Sequence, residues 1–286
     1  MRRPHLREGA LMTQSHQVFM GYLVSSDDAY TVVQSPFVHE GTRVFGADSD
    51  PTTLAVAALI HRHQTEPVDL VSVPAGINED VLRISCSVAA SSDADLEHCE
   101  WDLLNGDEAI VVLARRGTEV EIPNLDVAVH VDQEHQTALD SAWSNELKSN
   151  HVSQGAFVSE AMYMEGSSAR LAMMAQKGGN GPIWPPRHGH DRDGPLPHHT
   201  VSPAGTVLSW TKLSAAGAPS EFSIRAPLLG GLNTVLLALD DGPRGVFLMV
   251  DDEDHDINIH DRVELVLRRL YAQEGFMRYG LKGRLV

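Results

Sequence analysis

Cysteine is scarce in this chain: Cys86 and Cys99 are the only two in 286 residues. Two cysteines leave no disulfide framework, and such usage points to a reducing, cytoplasmic setting. Positive charge is also short, with 22 Lys and Arg against 39 Asp and Glu and a formal net charge of −17. So acidic a surface repels phosphate backbones and anionic lipid, which argues against nucleic acid and membranes as partners. No apolar run approaches the ~18 residues of a spanning helix. The opening MRRPHLREGALMTQSH has charge but no apolar h-region, so it does not read as a signal peptide. Met12 is an alternative start, and the residues before it are expected to form a disordered extension. What the chain does have is 42% hydrophobic residues, enough for two cores at ~100–200 residues per domain.

The first part alternates helix and strand signals. Asp50 before Pro51 suits an N-cap and a first helical position. TTLAVAALIHRH then carries Leu54, Ala58 and His61 at helical spacing. Val68 to Val73 and Ala109 to Ala114 read as buried strands, and Val127 to Val131 as a third. Leu96 to Asn105 reads as a short helix stopped by Gly106, and Gln136 to Leu147 as another. Strands alternating with helices predict an α/β layer. Residues 178 to 205 are rich in Gly, Pro and His, and they read as an irregular connector. Beyond Gly205 the pattern is all-β: Thr206 to Leu213, Phe222 to Ala226, Thr234 to Leu239, Val246 to Val250 and Val263 to Leu270. About five strands in ~80 residues suit a small Greek-key barrel such as the OB-fold.

WPPRHGHDRDG, Trp184 to Gly194, has the look of a zinc ribbon without its thiols. A small ribbon presents two Cys-x-x-Cys pairs. The first would fall within Gln176 to Pro182, which holds no cysteine; the places of the second fall on His190 and Asp193. With AGTVLSWTKL, LALDDGPRGVFLMV, INIHDRVELVL and the final RYGLKGRLV, this segment resembles the acyl-CoA-associated OB-fold family over residues 165 to 286. The resemblance implies a non-catalytic partner of thiolases or of enzymes like hydroxymethylglutaryl-CoA synthase. Its barrel would help hold a coenzyme A thioester at the shared interface.

The front of the chain resembles the opening of hydroxymethylglutaryl-CoA synthase-like thiolase folds through FMGYLVSS, GTRVFGADSDPTTLAVAALIHR, ADLEHC and LLNGDEAIVVLARR. That fold needs two pseudo-equivalent halves, with its catalytic histidine in the second, and only about 165 residues precede the connector. The expected fold class is therefore an α/β thiolase-like half domain (1–165), then a degenerate, rubredoxin-like zinc-ribbon connector (166–204), then an all-β OB-fold barrel (205–286).

The candidate residues follow. Cys99 is the candidate nucleophile, and the rival function is an acyltransferase that carries its acyl group there. Glu97 and Glu100 disfavour a thiolate, and the alternative is an ordinary, partly buried cysteine. His188, His190, His198, His199 and Asp193 are ligand types that suit zinc. The substituted ribbon places point instead to loss of the metal, so zinc is not expected. DDEDHD, Asp251 to Asp256, lacks the Gly and Glu of a calcium loop and reads as a solvated turn.

From Val201 onward there are nine Lys or Arg and eleven Asp or Glu, a near-neutral barrel with no basic stripe for nucleic acid. Arg278, Lys282 and Arg284 fall at even spacing, which puts side chains on one strand face. That face would meet coenzyme A phosphates, or else it is a cation-guarded edge strand. The expected partners are a coenzyme A thioester and a thiolase-family or hydroxymethylglutaryl-CoA synthase-like protein, with self-association open.

Overall fold

Asp50 begins its helix as the Asp-Pro pair suggests. In the computed structural model, which describes residues 5–8, 16–91, 98–148, 160–179, 181–186, 198–273 and 275–286, the Asp50 carboxylate accepts from the Thr53 amide at 2.9 Å. The Thr53 hydroxyl accepts from the Asp50 amide at 3.0 Å, which completes a reciprocal cap. The chain divides into two compact units, Met1–Gln133 and Glu134–Val286.

The first unit contains β1 (His5–Glu8), β2 (Gln17–Phe19), β3 (Tyr22–Ser26), β4 (Tyr30–Gln34), β5 (Phe37–His39), β6 (Thr42–Arg43), α1 (Pro51–His63), β7 (Leu70–Ser72), α2 (Glu79–Cys86), β8 (Ala89–Ser91), β9 (Trp101–Asn105), β10 (Ile110–Arg115), β11 (Glu119–Ile122) and β12 (Val129–His130). Seven strands form one mixed sheet in the order β2-β3-β4-β10-β9-β7-β8. β7 runs parallel to β8 and β9, whereas β10 is antiparallel to both of its neighbours, β4 and β9.

The continuous apolar run of β10 reflects cover on both faces. Val112 and Ala114 pack with Val32, Ile110 and Val120. By alternation Val111 and Leu113, also fully buried, lie on the other face. α1 packs against β4 and β10 and is buried from Thr52 to Arg62, consistent with a helix that is apolar nearly all round.

Two expectations for this unit are corrected. Trp101 to Asn105 is a strand, not the end of a helix, and Gly106 marks a hairpin turn, with its amide donating to the Ile110 carbonyl at 3.0 Å. The segment ahead of Met12 includes β1, which pairs in parallel with β11.

The second unit contains α3 (Gln133–Glu146), α4 (Glu160–Leu171), β13 (Met174–Gly178), β14 (Gly181–Ile183), β15 (His198–Thr200), β16 (Ala204–Leu213), β17 (Leu232–Leu239), β18 (Arg244–Leu248), β19 (Arg262–Gln273) and β20 (Phe276–Leu285). The expected irregular connector instead carries a three-stranded antiparallel sheet, β14-β13-β15.

The last five strands are ordered β18-β17-β16-β19-β20. Met249, just past β18, bridges Gly283 of β20 in parallel, and the Val250 amide donates to the Gly283 carbonyl at 3.0 Å. A meander of three strands, an antiparallel hairpin of two and a parallel closure between the outer pair make an OB-fold-like β domain. β16 joins the two halves: a register shift between Val207 and Ser209 bends it, and only its first residues pair with β19. Gly205 permits the close crossing there, because a Cβ would lie 2.6 Å from the Ala238 carbonyl oxygen. Val207, Val235, Leu237, Val263, Leu265 and Leu267 fill the interior.

Phe222 to Ala226, expected as a strand, is the end of a 3-10 helix and the turns after it. Pro219 and Pro227 flank it, and the Arg225 amide is taken by a carboxylate rather than by a ladder. Among the described residues no helix is long and apolar enough to cross a membrane.

Candidate functional site

Cys99 lies two residues before β9 in the first unit and is 3% exposed. Its thiol donates to the Trp101 carbonyl at 2.9 Å and points toward that of Leu70 at 3.8 Å. Burial pushes the thiol up, more than nearby Arg116 pulls it down. Arg116 is itself engaged by Asp102, through contacts of 2.7 and 3.2 Å between buried side chains. A protonated thiol directed at backbone carbonyls is a poor nucleophile. Cys86, at the end of α2, is also buried and its thiol is also pushed up by burial.

His188, His190 and Asp193 lie outside the described residues. Of the ribbon, the structure describes the β13–β14 hairpin and Trp184, whose ring stacks on Phe247 of β18 with centroids 5.8 Å apart. Among the described residues the buried Trp184 indole nitrogen has no hydrogen-bond partner. Among the described residues no three His, Cys, Asp or Glu side chains gather in a way that would hold a metal ion.

The three cations of β20 do not form one open face. Lys282 is buried and donates to Asp251 at 2.8 Å. Arg284 donates to Glu264 on β19 at 2.8 Å. Arg278 is buried beneath α4, with its guanidinium carbon 4.9 Å from the Tyr163 ring centroid and 4.8 Å from that of Phe276. Tyr163 is fixed in turn: its hydroxyl accepts from the Tyr279 amide at 3.1 Å and donates to the Tyr279 carbonyl at 3.2 Å. The geometry follows from the barrel, where coiling of the long β19–β20 ribbon and a register shift between Arg269 and Tyr271 turn evenly spaced side chains inward.

The strongest polar cluster was not visible as a site in the sequence. Arg225 is 1% exposed. Its amide and Nε donate to the two carboxylate oxygens of Glu146 at 2.9 and 2.7 Å, and its Nη1 donates to Asp251 at 2.6 Å. Trp143 of α3 lies under the guanidinium, 3.3 Å from ring centroid to carbon. Asp252 takes Arg268 at 3.3 Å. The start of DDEDHD is therefore not a solvated turn, since Asp251 and Asp252 are the anions of the barrel interior. Burial pushes Asp251 up, but Lys282 and Arg225 together outweigh it and hold the carboxyl below its usual range. Burial pushes Glu146 up, and Arg225 only partly offsets it.

No family model and no curated protein matches the chain. Among solved structures, the Ltp2-ChsH2(DUF35) aldolase aligns with 45% of this chain and 98% of that chain, at 18% identity and a TM-score of 0.31. The OB-fold-like assignment rests on the strand order and closure described above.

Proposed function

We propose that this chain is a non-catalytic accessory subunit that binds a coenzyme A thioester and docks on a thiolase or hydroxymethylglutaryl-CoA synthase-like enzyme, which performs the carbon–carbon chemistry. The state of Cys99 carries the reading: a buried, protonated thiol turned to backbone carbonyls does not take an acyl group. The front unit supports the thiolase-like half. From β4 the chain crosses through α1 to β7 and through α2 to β8, and it then returns by β9 to the antiparallel β10 inserted beside β4. The OB-fold-like barrel of the second unit is the binding module, and its strand β20 is where the coenzyme is proposed to meet the protein.

Two measurements test this. Calorimetry with coenzyme A and acetyl-CoA is expected to show binding, and intact mass after incubation with acetyl-CoA is expected to show no adduct. An acetyl adduct that disappears in Cys99→Ala would overturn the proposal in favour of an acyltransferase. The docking half is tested by size-exclusion chromatography with a purified thiolase-superfamily enzyme from the same genome. Comigration is expected, and separate elution of the two at micromolar concentration counts against docking.

A further inference from the structure

In the barrel interior, buried cations meet anions: Arg225 has Glu146 and Asp251, Lys282 has Asp251, and Arg268 has Asp252. Arg278 differs. It is 1% exposed, and its Nε and Nη1 are buried without a hydrogen-bond partner among the described residues. Its aromatic neighbours are Tyr163 and Phe276, whose rings stand 6.3 Å apart at 68° with the guanidinium against both. Aromatic faces attract a cation but leave the donors in the guanidinium plane unmet. A guanidinium has five N–H donors and no acceptor, and leaving charged donors buried and unmet is costly.

The groups around Arg278 have the same bias. Tyr271 stands directly opposite it across the hairpin, which puts the two side chains on one face of the pair. Its half-buried phenol makes no hydrogen bond with the protein among the described residues. Burial pushes that phenol up, while Arg278 and, more weakly, Arg170 draw it down. Arg170 comes from α4 and donates to the Tyr163 carbonyl at 3.0 Å, which leaves it further N–H groups. Among the described residues one carboxylate, Glu221, lies within electrostatic reach, and it bonds to Ser220 at 3.3 Å. Arg278 of β20 and Tyr271 of β19 thus share one face of the hairpin. Arg170 of α4 is held at the Tyr163 backbone and acts electrostatically on the phenol, and among the described residues Glu221 is the acid that does so. A tetrahedral phosphate offers separate oxygens to separate donors, and charge-assisted bonds from arginine to phosphate are strong.

We infer that Arg278, Arg170 and Tyr271 form a phosphate subsite, framed by the Tyr163 and Phe276 rings and entered past the half-buried Phe276 and Tyr271. The site takes the phosphate of a small molecule. That the molecule is a coenzyme A thioester rests on the function proposed above; the phosphate chemistry does not.

The test uses the full chain, with inorganic phosphate and coenzyme A as separate probes at fixed ionic strength. Phosphate is expected to raise the melting temperature of the wild type through binding linkage, and Arg278→Met to abolish that rise. Without phosphate, Arg278→Met is expected to melt no lower than the wild type, because it removes an uncompensated buried cation. A purely structural arginine predicts the opposite, a lower melting temperature and no phosphate effect. Arg170→Gln and Tyr271→Phe, both at half-buried positions, are expected to weaken phosphate binding about tenfold each, the loss of one hydrogen bond to a charged group. They decide the matter if Arg278→Met does not fold.

No phosphate response in the wild type, or one that survives Arg278→Met, overturns the inference. Should phosphate bind at Arg278 while coenzyme A does not, the coenzyme reading fails and the subsite stands. If coenzyme A binds equally to wild type and Arg278→Met while phosphate binds neither, the subsite fails and the coenzyme reading stands.

Discussion

Replacing Asp251 by Asn tests whether the buried charges of the second unit hold it together. Asp251 is 6% exposed and accepts from Arg225 at 2.6 Å and from Lys282 at 2.8 Å. An Asn of the same shape keeps one acceptor and presents an amide donor to the other cation. Lys282 or Arg225 is then left facing a donor in a buried site, while Glu146 still serves the far side of Arg225. Hydrogen bonds to charged groups are worth about 1.5–3 kcal/mol each, and removing one partner of a buried ion pair costs about 3–5 kcal/mol. Against a domain stability of about 5–15 kcal/mol, Asp251→Asn should remove about 3–5 kcal/mol.

Urea unfolding followed by far-ultraviolet dichroism gives the number. Tryptophan fluorescence adds a local signal, because Trp143 lies against Arg225. A loss below about 1 kcal/mol, on the scale of an exposed pair, would refute the reasoning. The companion double variant Asp251→Leu with Lys282→Met removes both charges of one pair and should cost less than Asp251→Asn alone, as paired replacements generally do.

The same cluster has a pH signature. Asp251 is held below its ordinary value of about 3.9, so its contribution is fully present above that value and is lost as the pH falls through the lower, folded value. Asp251→Asn should delete that acid limb. Glu146 is raised, so its contribution is present below the ordinary value of about 4.3 and is lost as the pH rises through the raised one. Glu146→Gln should remove a slope of opposite sign. Stability measured from pH 2.5 to 7 in both variants checks the two directions separately.

Other perturbations probe single features. Cys86 and Cys99, both buried with thiols pushed up, should resist a disulfide reagent at pH 8 in the native protein, and both should react in denaturant; fast labelling of either in the native state would contradict the account of Cys99. Tyr163→Phe removes the two hydrogen bonds that its hydroxyl makes to the Tyr279 backbone and should cost about 1–3 kcal/mol, read as a lowered melting temperature; an unchanged melt would show that α4 is held on β20 by other contacts. Gly205→Ala places a methyl 2.6 Å from the Ala238 carbonyl oxygen, and since backbone cannot yield as a side chain does, about 1–3 kcal/mol should be lost; full stability would mean that β16 can move off β17.

How far the sequence could be read depended on whether the deciding partner was local. α1 was legible because its cap, its proline and its apolar surface all lie within fourteen residues. β10 was legible because six apolar residues in a row need cover on both faces. Trp101 to Asn105 misled because Gly106 ends a helix or turns a hairpin equally well, and the choice belongs to β10, which follows it.

The barrel's charges were read least well, for a related reason. DDEDHD looks solvated on composition alone, yet Asp251 meets Arg225, 26 residues before it, and Lys282, 31 after. Likewise Arg278, Lys282 and Arg284 share a face only if the strand is straight. Coiling and the register shift opposite send Lys282 to Asp251, Arg284 to Glu264 and Arg278 beneath Tyr163. The number of partners a charge finds is therefore set by topology, and partner count separates a structural charge from a binding one. Two of the three have protein anions and are accounted for by stability. Among the described residues Arg278 has rings and no acceptor, which is why the proposed phosphate subsite is placed on it.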